Sequence, residues 1–314
     1  MTNINNKKIA KPLIKDFLFK NTTKDFIELK FLKKISKTKI CVSKKTGLVF
    51  HNKFKSSKEV LEEWSKKIYV NKKSGKDKGN LIKQNKYSDD FPGMSARHFY
   101  VLDFLSRFIK FKNKKIIDFA CGEGGLLIKA KKYFNVKNSS GVEHSKRNIL
   151  YIKQRFKSEK IKLPNLYQSN IESFLLKEKA DVGILTWTLC NCSEPLKIVE
   201  SISKNLKKNG YLIVAESSRI LVPFKKPIHN CFHPKSDVGH THPWHWSYNS
   251  LSNIFKIYGF ELIKSNRYWD ENDLVLIFKN SKKFNQNFIF DNYLKVIDFF
   301  KRWKMESKNY KFSR

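Results

Sequence analysis

Residues 116 to 130 read IIDFACGEGGLLIKA: an apolar run ends in an acid, Asp118, glycines follow at 122, 124 and 125, and an apolar stretch then opens a helix. A strand, a glycine loop and a helix in that order begin a nucleotide-binding unit, because glycine lets backbone approach a ligand closely. A dinucleotide fingerprint needs a third glycine where Leu127 stands, which weakens the pyrophosphate reading. A carboxylate at the strand tip repels phosphate and suits an ammonium group. Glu143, nineteen residues after Gly124, ends the next strand in GVEHS, where a carboxylate accepts hydrogen bonds from both ribose hydroxyls. The expected ligand is a nucleoside that carries a cationic group.

A second concentration of reactive side chains comprises Cys190, Cys192, His229, Cys231, His233, His240, His242 and His245. Imidazoles and thiols are metal ligands, but no spacing here matches a zinc signature, so a pocket role is expected and no metal. Histidine also suits proton transfer near neutral pH, with His242 the leading candidate base and His240 and His245 the alternatives. Trp244 and Trp246 are expected as an apolar wall for an acceptor. Arg97 and Tyr100 are candidate acceptor contacts, the arginine because its fork can grip a diphosphate. They share a lysine-free block of ten with His98.

The elements that must hold these residues are legible from periodicity. KIIDFA, SSGVEH, NLYQSN, ADVGILTW, YLIVAE, FELIKSN and DLVLIFK read as strands, with helical segments such as NILYIKQRFK, PLKIVESISKNLKK and NSLSNIFKIYG between them. That alternation predicts an α/β fold with a doubly wound, mostly parallel sheet. The expected organisation is a smaller N-terminal α+β module over 1–90, a main domain over 91–280 and a helical extension over 281–314. In the module, KICVSKKTGLVFHNKF reads as a hairpin, SSKEVLEEWSKKIY as a serine-capped amphipathic helix and NKKSGKDKGN as a polar, mobile loop.

The formal charge of +36 points towards anionic partners. Only eight of the 64 basic residues are arginine, and the lysines are spread along the chain, so the small-molecule reading ranks above nucleic acid. Five cysteines and the absence of an apolar leader predict reduced thiols in the cytoplasm. The longest apolar runs, such as YLIVA, are too short to span a bilayer.

The acid followed by small residues at alternate positions, Asp118, Ala120, Gly122 and Gly124, resembles the first motif of the class I S-adenosylmethionine-dependent methyltransferases. Alanine replaces the usual first glycine. The resemblance covers roughly residues 95 to 280 and implies a Rossmann-like methyltransferase fold with S-adenosylmethionine as cofactor. It implies cofactor contacts from Asp118, Ala120, Gly122, Gly124, Glu143, Asn170, the adjoining Ile171, and Thr188 in the loop after the fourth strand. CVSKKTGLVF is similar to the end of the zinc-binding module that opens bacterial nucleotide-sugar C-methyltransferases; it keeps Gly47, Leu48, Val49 and Phe50 but has Lys45 in place of the last ligand cysteine. The resemblance implies a sugar nucleotide or surface-glycan precursor as acceptor, with the N-terminal module over 1–90 helping to form its pocket. It places His242 on a histidine that takes the acceptor's proton, with Thr241 where an acid would stand. The rival readings are an RNA or DNA methyltransferase and a non-catalytic S-adenosylmethionine-binding protein.

Overall fold

The computed structural model describes residues 25–34, 38–52, 55–67, 92–216, 220–222, 242–266, 273–283 and 287–307. Its main sheet contains β4 (Lys115–Phe119), β5 (Asn138–Glu143), β6 (Asn165–Gln168), β7 (Ala180–Thr186), β8 (Leu206–Glu216), β10 (Phe260–Ser265) and β11 (Leu274–Asn280). The spatial order is β10-β11-β8-β7-β4-β5-β6. Strands β6, β5, β4, β7 and β8 run parallel; β11 is antiparallel to β8 and β10 to β11. This is the mixed α/β, Rossmann-like sheet expected from the alternating pattern. The central strands are buried on both faces, which is why ADVGILT reads as a continuous apolar run.

Helices α2 (Pro92–Ser106), α3 (Gly125–Phe134), α4 (Lys146–Ser158), α5 (Pro195–Asn205) and α6 (Tyr248–Lys256) accompany this sheet. Ser145 caps α4 through Asn148 N–H, and Ser247 and Ser250 form a reciprocal capping box on α6. Proline at the first turn of α5 marks its start. Asn209-Gly210, a dipeptide that commonly forms turns, lies within β8, which begins at Leu206, and the register with β7 shifts between Ala180 and Val182. Asn209 takes φ +63°, so the turn-forming dipeptide is absorbed as a local irregularity of a longer strand.

A second sheet has the order β1-β2-β3-β9, from β1 (Phe26–Glu28), β2 (Ile40–Ser43), β3 (Val49–His51) and β9 (Trp244–His245). The expected β2–β3 hairpin is present, with Cys41 opposite Phe50. Both strands are wholly buried because the sheet is covered twice. Cys41, Leu48 and Phe50 join the core of the main domain, whereas Ile40, Val42 and Val49 pack on Val296, Phe299, Phe300 and Trp303. The latter four lie on α7 (Tyr293–Glu306), the expected C-terminal helix. Gly47 shows how closely these parts fit: it has φ +70°, and a Cβ there would lie 2.6 Å from Cβ of Asp291.

The helix α1 (Ser57–Lys67) follows β3 and starts with Ser56 and Glu59 capping one another's backbone N–H. The segments 71–80, His229, Cys231, His233, His240 and Thr241 lie outside the described residues. Among the described residues, no helix is long and apolar enough to cross a membrane.

Candidate active site

The carboxyl ends of β4, β5, β6 and β7 surround a cavity of about 290 Å³. Ligands of open α/β sheets bind at this end, where the strand order reverses. Asp118, Ala120, Gly122, Glu143, Asn170, Ile171 and Thr188 all border it. Gly124 sits below the loop, at φ +74° against Ile152, where it starts α3.

Glu143 organises the glycine loop. Its carboxylate accepts from Gly122 N–H at 2.9 Å and from Ser145 N–H at 2.8 Å. Burial raises its pKa from 4.5 to about 7, against the opposing effect of these backbone donors. Gly122 has φ +53°, and a Cβ there would meet no atom within 4 Å. Ala120 also adopts a left-handed backbone, φ +58°, a conformation that costs a residue with a Cβ about 1 kcal/mol.

Asp118 is 2% exposed, and its Oδ1 has no hydrogen-bond partner among the described residues. Burial, with the neighbouring Glu143 charge, holds its pKa well above the usual carboxylate range. An orphaned buried carboxylate oxygen matches an incoming ammonium, and Glu143 with Asn170 offers acceptors for hydroxyl and amino groups. The residues present thus fit a nucleoside that carries an amino-acid moiety.

Glu216, at the tip of β8, was missed as a functional residue although YLIVAE ends on it. Fully buried, it accepts from Thr188 N–H at 3.1 Å and Leu189 N–H at 2.8 Å, and burial raises its pKa to about 7. It fixes the loop after β7, where Trp187 is held at φ +50°. Trp187 Nε1 donates to Asp273 at 2.9 Å, and the Trp187 and His98 rings lie 5.4 Å apart on the cavity wall.

Most of the remaining expected residues lie elsewhere. Trp244 and Trp246 are 2% and 0% exposed in the main core, not on the cavity, because β9 is captured by β3 as an edge strand. His245 is buried in that strand, with Nε2 3.0 Å from Nε2 of His51, which also contacts Thr38 Oγ1. His242 does not border the cavity. The Arg97 guanidinium pairs with Asp273 at 3.3 Å, and Tyr100 accepts from Asn266 at 3.0 Å; neither borders the cavity. Of the two cysteines expected in the pocket, both buried free thiols, Cys192 borders the cavity and Cys190 does not; burial pushes the Cys192 pKa well up. Among the described residues, no group of three or more His, Cys, Asp or Glu side chains is placed to hold a metal ion.

The N-terminal part of the chain reaches the cavity through α1. Ser57, Val60 and Leu61 border it, Ser57 Oγ donates to Glu172 at 2.8 Å, and Ser193 Oγ donates to the Lys55 carbonyl at 2.5 Å.

Residues 110–259 match the family model of a methyltransferase domain. No curated protein matches the chain significantly. Among solved structures, a Galdieria sulphuraria protein provisionally assigned as a sarcosine dimethylglycine methyltransferase is 9% identical, with a TM-score of 0.50 over 62% of this chain and 88% of that one. A provisionally assigned Haloferax volcanii methyltransferase, solved in complex with the Trm112 methyltransferase activator, is 12% identical with a TM-score of 0.49 over 61% and 94% of the two chains. An S-adenosylmethionine-dependent methyltransferase from Clostridium acetobutylicum ATCC 824 is 14% identical with a TM-score of 0.43 over 58% and 89%. At such identities the likeness is one of fold. The matched domain supports a methyltransferase activity with S-adenosylmethionine as cofactor.

Proposed function

We propose that the chain methylates a small molecule, a sugar nucleotide or related glycan precursor, at a group whose proton is taken by His98. The observation that carries this reading is the pairing of His98 with Trp187 on the cavity wall. An indole face beside an imidazole suits a sugar ring that must be held flat while it loses a proton. The sugar-nucleotide class itself rests on the resemblance carried by Gly47 to Phe50.

S-adenosylmethionine supplies an electrophilic methyl group on a sulfonium centre when it is bound. Asp118 receives the ammonium of its amino-acid end, Glu143 the ribose hydroxyls, and Asn170 and Ile171 the adenine; Ala120, Gly122, Gly124 and Thr188 complete the cradle. His98 orients the acceptor and accepts its proton at a ring nitrogen. Transfer is a direct displacement, so alignment and proton removal are the main tasks left to the protein. Arg97 and Asp273 act by holding Trp187, and the reaction is assigned to the cytoplasm, where the buried thiols of Cys41, Cys121, Cys190 and Cys192 stay reduced.

The test incubates the full chain and His98→Ala with radiolabelled S-adenosylmethionine and two acceptor sets, sugar nucleotides and total tRNA. The reading expects label in the first set, lost in His98→Ala. Label in tRNA, falling steeply with added salt, would replace it with nucleic-acid methylation.

A further inference from the structure

The N-terminal module is expected, from its resemblance, to serve the acceptor. We infer a different role for α1: it is the outer wall of the cofactor's adenosine subsite, so the module is a cofactor-binding element. The inference rests on the adenosine lying between Glu143 and Asn170, as set out above.

Three observations place α1 there. Its first residue, Ser57, donates to Glu172 at 2.8 Å, two positions beyond Asn170. Asn170 Oδ1 in turn accepts from Glu172 N–H at 3.0 Å, so the Ser57 bond braces the turn that presents Asn170 and Ile171. The same helix packs on α4, whose N-cap Ser145 also donates its N–H to Glu143. Helix α1 therefore lies over the outer half of the parallel sheet, beside the ribose and adenine residues.

The side chains that α1 offers the cavity are chemically suited to a purine. Val60 and Leu61 are apolar, and so are Ile171 and Ile198, which also border the cavity. An adenine ring packed on aliphatic side chains buries its faces, while its polar edge remains available to Asn170. Among the described residues, those of α1 that border the cavity are Ser57, Val60 and Leu61, none of which carries a charge or a titrating group suited to handling an acceptor proton. His98 and Trp187, by contrast, come from α2 and the β7 loop.

The account makes a specific demand: α1 variants must lose affinity for the adenosine part of the ligand whether or not the amino-acid part is present. Calorimetric titrations of the full chain with S-adenosylhomocysteine and with 5′-methylthioadenosine separate the two parts. Leu61→Ala, at a half-buried position, and the double variant Val60→Ala/Leu61→Ala are expected to bind both ligands more weakly by the same factor, roughly tenfold or more for the double variant. Ser57→Ala should show the same parallel loss at a smaller size. Unchanged affinity for both ligands in Leu61→Ala and in any folded double variant overturns the inference. So does a loss confined to S-adenosylhomocysteine, which would put α1 against the amino-acid end. Glu143→Ala, titrated in parallel, separates two failures: if it weakens binding while the α1 variants do not, only the α1 wall is wrong, and if it too is silent, the placement of the adenosine is wrong.

Discussion

The two ends of the cavity are assembled in different ways. At the cofactor end, Asp118 to Gly125 form one uninterrupted stretch, and Glu143 follows one helix later and bonds directly back to Gly122. At the other end, His98 comes from α2, Trp187 from the β7 loop, and the group holding Trp187 is Asp273, 86 residues further on. Local backbone geometry thus sets the first end, and long-range tertiary contacts set the second.

The largest expected effect separates the two ends by function. His98→Ala should lower turnover by roughly 10²–10⁴-fold, the usual range for a general base, while S-adenosylhomocysteine binds as before. Initial rates with an acceptor found in the sugar-nucleotide screen, set beside calorimetry, check this. Parallel loss of binding would mean that the ends are not separable.

Gly47→Ala probes the small sheet without touching either end. The new Cβ would collide with Asp291 and must adopt φ +70°, so stability should fall by about 2–4 kcal/mol in urea unfolding, with ligand affinity of the folded protein unchanged. A neutral result would show that the contact between this turn and residue 291 is dispensable.

The pH dependence of binding sharpens the role of Glu143. Ribose hydroxyls donate to its ionised form, and its pKa lies at about 7. Affinity for S-adenosylhomocysteine should be full above pH 7 and fall by up to about tenfold per unit below it, a dependence that Glu143→Gln removes. In the ligand-free protein the sign is opposite. The folded state holds this proton between about pH 4.5 and 7 and the unfolded chain does not, so stability declines as pH rises through that window. Glu216, with its pKa raised in the same way, adds to the decline.

The smallest effect concerns Ala120. Glycine would relieve the left-handed backbone at φ +58° but adds freedom to the unfolded chain, so Ala120→Gly should change stability by less than about 1 kcal/mol. Thermal melting measures it; a loss of several kcal/mol would show that the methyl group itself packs against something essential.

This contrast also explains how much could be read from the sequence. Each strand of the main sheet was legible because period and apolar runs are local, and the glycine loop because its spacing is contiguous. The segment HTHPWHW invites a reading as a base beside an apolar acceptor wall, since histidines and tryptophans cluster there. A two-residue strand such as β9 has no period to detect, and only its pairing with β3 turns Trp244 and Trp246 towards the core. Likewise Arg97 looked free to grip a diphosphate until Asp273 was brought beside it by β11. His98 stood in the same lysine-free block as Arg97 and Tyr100, but nothing in its neighbours distinguished the side chain that reaches the cavity from those that do not. Glu216 could have been found from the acid at the tip of the fifth strand, by analogy with Asp118 and Glu143 on theirs.

The central claim is that the cofactor occupies the tips of β4 and β5, held by Asp118 and Glu143. Titration of the full chain with S-adenosylhomocysteine at pH 8 tests it most directly. The account predicts one site per chain, with affinity reduced by roughly a hundredfold in Glu143→Ala, as unpaired ribose hydroxyls cost a few kcal/mol, and a comparable loss in Asp118→Ala. Equal affinity in the parent protein and in both variants would contradict it.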